Sequence, residues 1–330
     1  SSQEAWRPGK SLNPAVGTKG MVSTAHPLAT QAGLDILKAG GNAFDAAVAI
    51  AATLNVVEPM NSGIGGYGTI LVYDAKTGKA RFLDSSGKIP INVDSDAFRP
   101  PTLNYKENRR GSKAVSTPGN VNAWWAMSSE YGNLKWPKLL KSAIKAAEQG
   151  FEITERFART IKHAFSEFNK YGQDVYGKEG KPLGKGDILV QKDLAQSLQL
   201  IAEQGAKAVY GGKLGKIIDK AMRESGGFLT LDDLVADRAE WWEPISISYR
   251  GYTVATASPR ISFAEPDLIL VENRIAASIQ NALKEKGHNI REVRGLGNAH
   301  GLTIEYDTEG KPVRFLGAAD IRGNGLAKGY

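Results

Sequence analysis

The chain has 330 residues, 42% of them apolar and 23% charged, with a formal net charge of +7. Those proportions are those of a globular protein, with length for one large α/β domain or two modest ones, and no apolar run is long enough to span a membrane. Cysteine is absent, which excludes disulfides, thiol nucleophiles and zinc–thiolate sites, and the four histidines are too scattered for a histidine-rich metal centre.

In chain order, "PLATQAGLDILKAG" carries apolar residues at helical spacing and stops at Gly40–Gly41. "NAFDAAVAIAATLNVVEP" predicts a buried, alanine-rich helix with Asn42 as its N-cap and Glu58–Pro59 as its close. Next comes "NSGIGGYG", and then two β-rich runs around "AKTGK", which predict a hairpin.

From Val121 to Arg223 the 3.6-residue period predicts five helices. They are "NAWWAMSSEYG", "WPKLLKSAIKAAEQG", "TERFARTIKHAFSEFNKYG", "QKDLAQSLQLIAEQG" and "GKLGKIIDKAMRESGG". "TLDDLVAD" reads as one more capped helix, and "PISISYRGYTVATASP" as a hairpin turning at Arg250–Gly251. A strand (Leu268 to Glu272), a helix ("NRIAASIQNALKEKG") and a hairpin turning at Glu309–Gly310 complete the chain.

Four glycines in six residues invite a phosphate-loop reading. Such a loop needs a strand before it and a helix after it, so that free N–H groups and the helix dipole meet the anion. Here the order is helix, glycines, strand, and no Gly-Lys-Ser/Thr follows. Glycines in this place let the backbone pass close to another segment or to a small ligand.

Several runs resemble the γ-glutamyltranspeptidase family. The opening carries Gly20-Met21-Val22, His26-Pro27-Leu28-Ala29, Gly40-Gly41-Asn42-Ala43, Asp45-Ala46-Ala47, Val57-Glu58-Pro59 and Ser62-Gly63-Ile64-Gly65-Gly66. The likeness continues in "STPGNVNAWWAMSSEYGNLKWPKLLKSAIKAAEQGFEI" and "GGFLTLDDLVADRAEWWEPISISYRGYTV", and returns in the tail. The resemblance implies an α+β fold, the αββα sandwich of N-terminal-nucleophile hydrolases. It also implies a precursor that cuts itself to free a threonine, whose hydroxyl attacks an amide while its own α-amine acts as base. A second subunit would come from that cut, the substrate would be a small-molecule amide, and no cofactor or metal is implied.

Two departures stand out. In the family, a segment like "YRGYTVATASP" leads into a long stretch bearing the self-cleavage site, a Thr-Thr-His nucleophile run and the oxyanion glycines. Here "TASP" runs directly into "RISFAEPDLILVEN", the join lies at Pro259–Arg260, and no Thr-Thr-His occurs. The sandwich therefore reads as lacking its central nucleophile-bearing strands, with residues 1–259 large-subunit-like and 260–330 the end of the small-subunit-like half, in one composite domain. Either the protein has a middle that this sequence lacks, or the middle is deleted and the product is an inactive binding or scaffold protein. Loss of central strands would expose long edges and half a core, which favours the first reading.

The second departure concerns recognition. The family's glutamyl enzymes carry Arg-Glu where this chain has Ser86-Gly87. A guanidinium there would grip an α-carboxylate bidentately, and serine cannot. The chain therefore looks like the divergent branch that lacks this arginine, and its substrate reads as a small γ-glutamyl or other acyl amide without a strict γ-glutamyl preference. Lys88 reads as a solvated cation. Tyr67 stands where the family has a small residue, and either narrows the pocket or caps the hairpin. The acyl pocket is expected to be lined by Gly65, Gly66, Ser85 and Ser86.

The remaining candidates have plainer readings. His26 is expected to fix a helix start and His300 to be structural. The pairs Trp124–Trp125 and Trp241–Trp242 are read as core, and Asp320 with Arg322 as an ion pair holding the tail. Glu265 and Asp267 read as a loop near the join. "ENRRGSK" (Glu107 to Lys113) is read as a solvated loop rather than a nucleic-acid arm. The opening "SSQEAWRPGK" lacks a signal-peptide pattern, so the compartment is left open between the cytoplasm and export in mature form.

Overall fold

A computed structural model describes residues 13–94, 96–98, 107, 110–249, 252–256, 268–272, 275–287, 289–293, 299–320 and 323–330. The Pro259–Arg260 join, the Arg250–Gly251 turn, Glu265, Asp267 and Arg322 lie outside the described residues, as do Asn108 and Arg109 of the basic loop.

β1 (Ala15–Gly17) and β2 (Met21–Thr24) lead into α1 (Pro27–Lys38), α2 (Ala43–Val57) and the single turn α3 (Pro59–Ser62). The hairpin of β3 (Gly68–Asp74) and β4 (Lys79–Ser85) follows. The helical region holds α4 (Asn120–Tyr131), α5 (Trp136–Gln149), β5 (Phe151–Glu152), α6 (Glu155–Ala164) and α7 (Lys170–Tyr176). It continues through β6 (Gly177–Lys178), β7 (Lys181–Pro182), β8 (Ile188–Leu189), α8 (Lys192–Gln204), α9 (Lys213–Glu224) and α10 (Leu231–Ala236). Then come β9 (Glu240–Trp242), β10 (Ile245–Tyr249), β11 (Tyr252–Thr256), β12 (Leu268–Glu272) and α11 (Ala277–Glu285). The last strands are β13 (Asn289–Val293), β14 (His300–Tyr306), β15 (Pro312–Ala319) and β16 (Leu326–Gly329).

The helix starts follow from their caps. His26 precedes α1, its Nδ1 accepts the Leu28 N–H over 3.2 Å, and Pro27 presets the first helical φ. Asn42 and Asp45 form a reciprocal capping box on α2. Asp45 is fully buried and also accepts the Asn133 N–H over 3.0 Å, so one carboxylate caps α2 and fastens the α4–α5 connection to it. The predicted helix over 154–172 is in fact two. α6 ends in a tight turn at Phe165–Glu167, Phe168 is extended, and Asn169 caps α7 by accepting the Gly172 N–H over 2.9 Å. An asparagine cap with its own aromatic pair, Phe168 against Tyr176 at 5.5 Å, outcompetes a continuous helix here.

Two sheets and a helical layer stack at one side of the molecule. β2 pairs with β16 antiparallel, and β1, β15 and β14 form the facing sheet. The sheets meet closely, because a Cβ on Gly317 of β15 would come within 2.8 Å of Met21 Cγ and 3.2 Å of Ala327 Cβ. α1 covers the outer side of β2 and β16: its Thr30 hydroxyl donates to Leu326 O over 2.8 Å. The first and last strands of the chain are thus interleaved. β14 and β15 also leave Leu302, Ile304, Tyr306 and Val313 exposed.

The main core lies among α2, α4, α5, α8 and the β3–β4 hairpin, with Leu83, Trp124, Met127, Leu139, Leu140 and Leu198 buried. Trp136 joins it as the bolt between α5 and α8, its indole N–H donating to Ile201 O over 2.8 Å. The tryptophan pairs divide. Trp124 is core, whereas Trp125 and Trp242 are more than a third exposed and pack edge-to-face on Trp136 and Phe82. A helical or strand register that alternates faces cannot bury two adjacent indoles equally.

Candidate active site

Three loops meet at the open end of the β3–β4 hairpin. Gly68 pairs with Ser85, so the register carries Tyr67 across from Ser86. The Ser85 hydroxyl donates to Gly68 O over 2.9 Å, and this residue is only 3% exposed. Ser86 is half-buried. Its N–H and its hydroxyl both donate to Oδ1 of the buried Asp84, over 2.9 and 2.5 Å.

The glycine loop joins this end from below. Gly66 N–H donates to Gly63 O over 2.9 Å, and Gly66 O accepts from the N–H groups of Gly119 and Asn120 over 3.1 and 3.2 Å. A Cβ on Gly66 would come within 2.9 Å of Gly63 O, whereas Gly65 has open space around it. The close approach anticipated for the glycines is therefore to another chain segment, the start of α4, at Gly66 and not at Gly65. Gly119 is held still tighter, because a Cβ there would overlap Ser85 O and lie 2.9 Å from Ser85 C. Thr117 N–H donates to Lys88 O over 2.9 Å, which completes the three-loop zipper.

A polar floor holds the 116–122 segment. The Tyr210 hydroxyl donates to Pro118 O over 2.8 Å and accepts the Asn122 N–H over 3.2 Å. Burial pushes its phenol well above the usual tyrosine range. Asp237 accepts from the Asn122 side chain over 2.7 Å, and burial raises its carboxyl while Asn122 and Lys88 pull it down. Lys88 is not simply solvated: its ammonium lies 3.3 Å from Glu240 of β9 and is half-exposed.

Beside Tyr67 lies a cavity of about 160 Å³ between α2, the glycine loop and α4, walled by Leu54, Asn55, Asn61, Tyr67, Asn120 and Trp124. Asn55 is 3% exposed; its amide N–H donates to Ser62 O while its Oδ1 has no partner. A larger groove of about 650 Å³ runs from Asn55 and Gly63 to Tyr171, Tyr176 and Leu194.

His26 stands apart as a cap. Burial lowers its pKa to about 4, so the imidazole is neutral near pH 7, and its Nδ1 is occupied by a helix N–H. The Ser23 hydroxyl donates to Ala318 O instead of facing a base. Asp320 accepts the Ala299 N–H over 3.2 Å, beside its own strand end. In the basic loop, Arg110 pairs with Glu167 and Lys113 with Glu107. Among the described residues no cluster of three or more His, Asp or Glu side chains could hold a metal ion, and no helix is long and apolar enough to cross a membrane.

The family profile described as gamma-glutamyltranspeptidase matches residues 29–265. The chain belongs to that family. The match ends close to the Pro259–Arg260 join. The chain is 39% identical over 264 residues to the glutathione hydrolase proenzyme of Bacillus subtilis strain 168, covering 78% of the chain and 45% of that protein. It is 38% identical over 258 residues to the acylase ACY 1 proenzyme of Pseudomonas sp. strain V22, covering 74% of the chain and 46% of that protein. The crystal structure of Helicobacter pylori gamma-glutamyltranspeptidase superimposes with a TM-score of 0.71 at 36% identity, over 73% of this chain and 70% of that one. The fold is thus the α+β sandwich of N-terminal-nucleophile hydrolases, and the chain spans about half the length of the curated relatives it matches.

Of the residues predicted for the site, Ser85, Ser86 and Gly66 come together at the hairpin end, and Gly65 lies in the same loop facing open space. Sequence reasoning did not single out Asp84, Gly119 or Asn55. Pro118-Gly119-Asn120 directly before a helix was a signal for the second of these, since that grammar marks a turn feeding a helix N-terminus.

Proposed function

We propose that the whole protein is a self-processing amidohydrolase or acyltransferase of the divergent kind that lacks the carboxylate-binding arginine. A threonine freed by self-cleavage, outside these residues, attacks the carbonyl carbon of a small acyl amide. Its α-amine takes the hydroxyl proton and passes it to the departing amine, and backbone N–H groups hold the oxyanion. Water or a second amine then attacks the acyl ester and frees the threonine. The steps ask nothing of a metal or an organic cofactor.

In this reading residues 1–259 are the large-subunit-like part and 260–330 the end of the small-subunit-like half. The pairing of β1 with β15 and of β2 with β16 supports treating them as one composite domain. Ser86, the Ser85 backbone, Gly65 and Gly66 line the acyl pocket. The carrying observation is Ser86 itself: its only hydroxyl proton goes to Asp84, at the position where the resemblance puts a guanidinium. The acyl group is therefore one that needs no α-carboxylate clamp. The scaffold alternative has no observation in its favour, since the relatives bear the names of hydrolases and acylases.

The test is a panel of acyl p-nitroanilides with the full-length protein, γ-glutamyl among them. The reading predicts cleavage of non-glutamyl acyl anilides at least as fast as the γ-glutamyl one. No hydrolysis of any member, with or without an added amine acceptor, would overturn it.

A further inference from the structure

Tyr67 and Gly87 both depart from the family resemblance, and they touch. A Cβ on Gly87 would lie 2.7 Å from Tyr67 Cδ1, 3.0 Å from Cε1 and 2.5 Å from Ser116 Oγ. The Tyr67 ring thus fills the space that any side chain at 87 would need. Bulk that the resemblance puts at 87 is carried here by the Tyr67 ring packed beside it.

The exchange changes what this surface offers a ligand. In place of a guanidinium and a carboxylate stand a phenol ring, 60% exposed, and a serine whose proton is committed to a buried carboxylate. Neither supplies the fixed, bidentate positive charge that clamps a carboxylate.

The cavity beside Tyr67 suits a different group. At about 160 Å³ it has the size that admits a single benzene ring, about 150 Å³, in a half-open wall that mixes Tyr67, Trp124 and Leu54 with Asn55, Asn61 and Asn120. Aromatic faces meeting a ring edge or face add attraction beyond the area they bury.

We infer that this cavity is a subsite for a compact aryl group on the acyl half of the substrate, with Tyr67 as the specificity-determining residue that favours arylacyl over α-carboxylate-bearing acyl groups. The inference rests on the amidohydrolase reading above, and it goes further by naming the substrate class.

The test compares phenylacetyl- and acetyl-p-nitroanilide on the full-length, processed protein, its Tyr67→Ala and its Tyr67→Phe variants. Binding of phenylacetamide, followed by ligand-detected NMR, is measured alongside. Tyr67→Ala is expected to lower the phenylacetyl-to-acetyl ratio of kcat/KM about tenfold, mainly through KM, and Tyr67→Phe to preserve it. Phenylacetamide should bind the parent and lose most of its signal with Tyr67→Ala. A ratio and a binding signal that Tyr67→Ala leaves unchanged overturn the subsite while leaving the hydrolase standing. Tyr67-dependent binding without turnover of any anilide keeps the subsite and sinks the hydrolase.

Discussion

The Ser86 hydroxyl donates to the buried Asp84 carboxylate over 2.5 Å, and the Ser86 N–H donates to the same oxygen over 2.9 Å. A serine held in this way presents lone pairs outward. It can accept a hydrogen bond from a ligand, but it has no proton left with which to bind an anion.

Replacing that serine by a guanidinium should therefore change substrate preference. Ser86→Arg in the full-length protein is expected to raise kcat/KM for γ-glutamyl-p-nitroanilide by about tenfold or more, the scale of a charge-assisted hydrogen bond. Steady-state kinetics on the acyl panel check it. An unchanged γ-glutamyl rate in a folded variant would mean that Ser86 does not face the acyl group.

His26 makes stability depend on pH in one direction. Burial lowers its pKa to about 4, so the folded protein disfavours the imidazolium that the unfolded chain accepts at 6.5. The stability it contributes is full above pH 6.5 and is lost as pH falls from 6.5 toward 4, up to about 3 kcal/mol. His26→Asn keeps a capping acceptor without the titration. Urea midpoints of parent and variant should diverge with falling pH across that window, the parent dropping faster. Parallel curves would count against the burial of His26.

Asp45 ties two elements together through one carboxylate. Asp45→Ala would leave the N–H groups of Asn42 and Asn133, each now bonded at 3.0 Å, without their protein acceptor in a part-buried site. Loss of the cap and of the cross-link together should cost about 3 kcal/mol or more. The denaturation midpoint reads it, and a change below about 1 kcal/mol would contradict the arrangement.

Gly119 is where backbone meets backbone. Gly119→Ala drives a methyl into the Ser85 carbonyl, and no flexible side chain can yield there. The variant is expected to lose about 1–3 kcal/mol and to move Ser85 and Ser86 with it. Gly65→Ala has open space and should be nearly neutral in stability. The contrast between the two is the check, and equal effects would sink it.

Much of the fold was legible because its signals are local. Asn42 with Asp45, Pro27 behind His26, and the turn glycines Gly78 and Gly310 at positive φ each mark an element from neighbouring residues alone. β2 and β16 were not legible: each is four residues long, and each finds its partner at the other end of the chain. The split at Phe168 was masked by an apolar period that runs on through it. Ser86 and Tyr67 could be named as departures from the resemblance, but their meaning could not be read from order alone. The commitment of the Ser86 proton to Asp84, and of the Tyr67 ring to the space beside Gly87, exists only once the hairpin end closes in three dimensions.

The most direct test of the central claim is the intact mass of the purified full-length gene product under denaturing conditions. A self-processing N-terminal-nucleophile hydrolase predicts two fragments, the smaller beginning with threonine, whose sum well exceeds the 35.5 kDa of these residues. A single species at 35.5 kDa would contradict it, because no threonine nucleophile would then have been released.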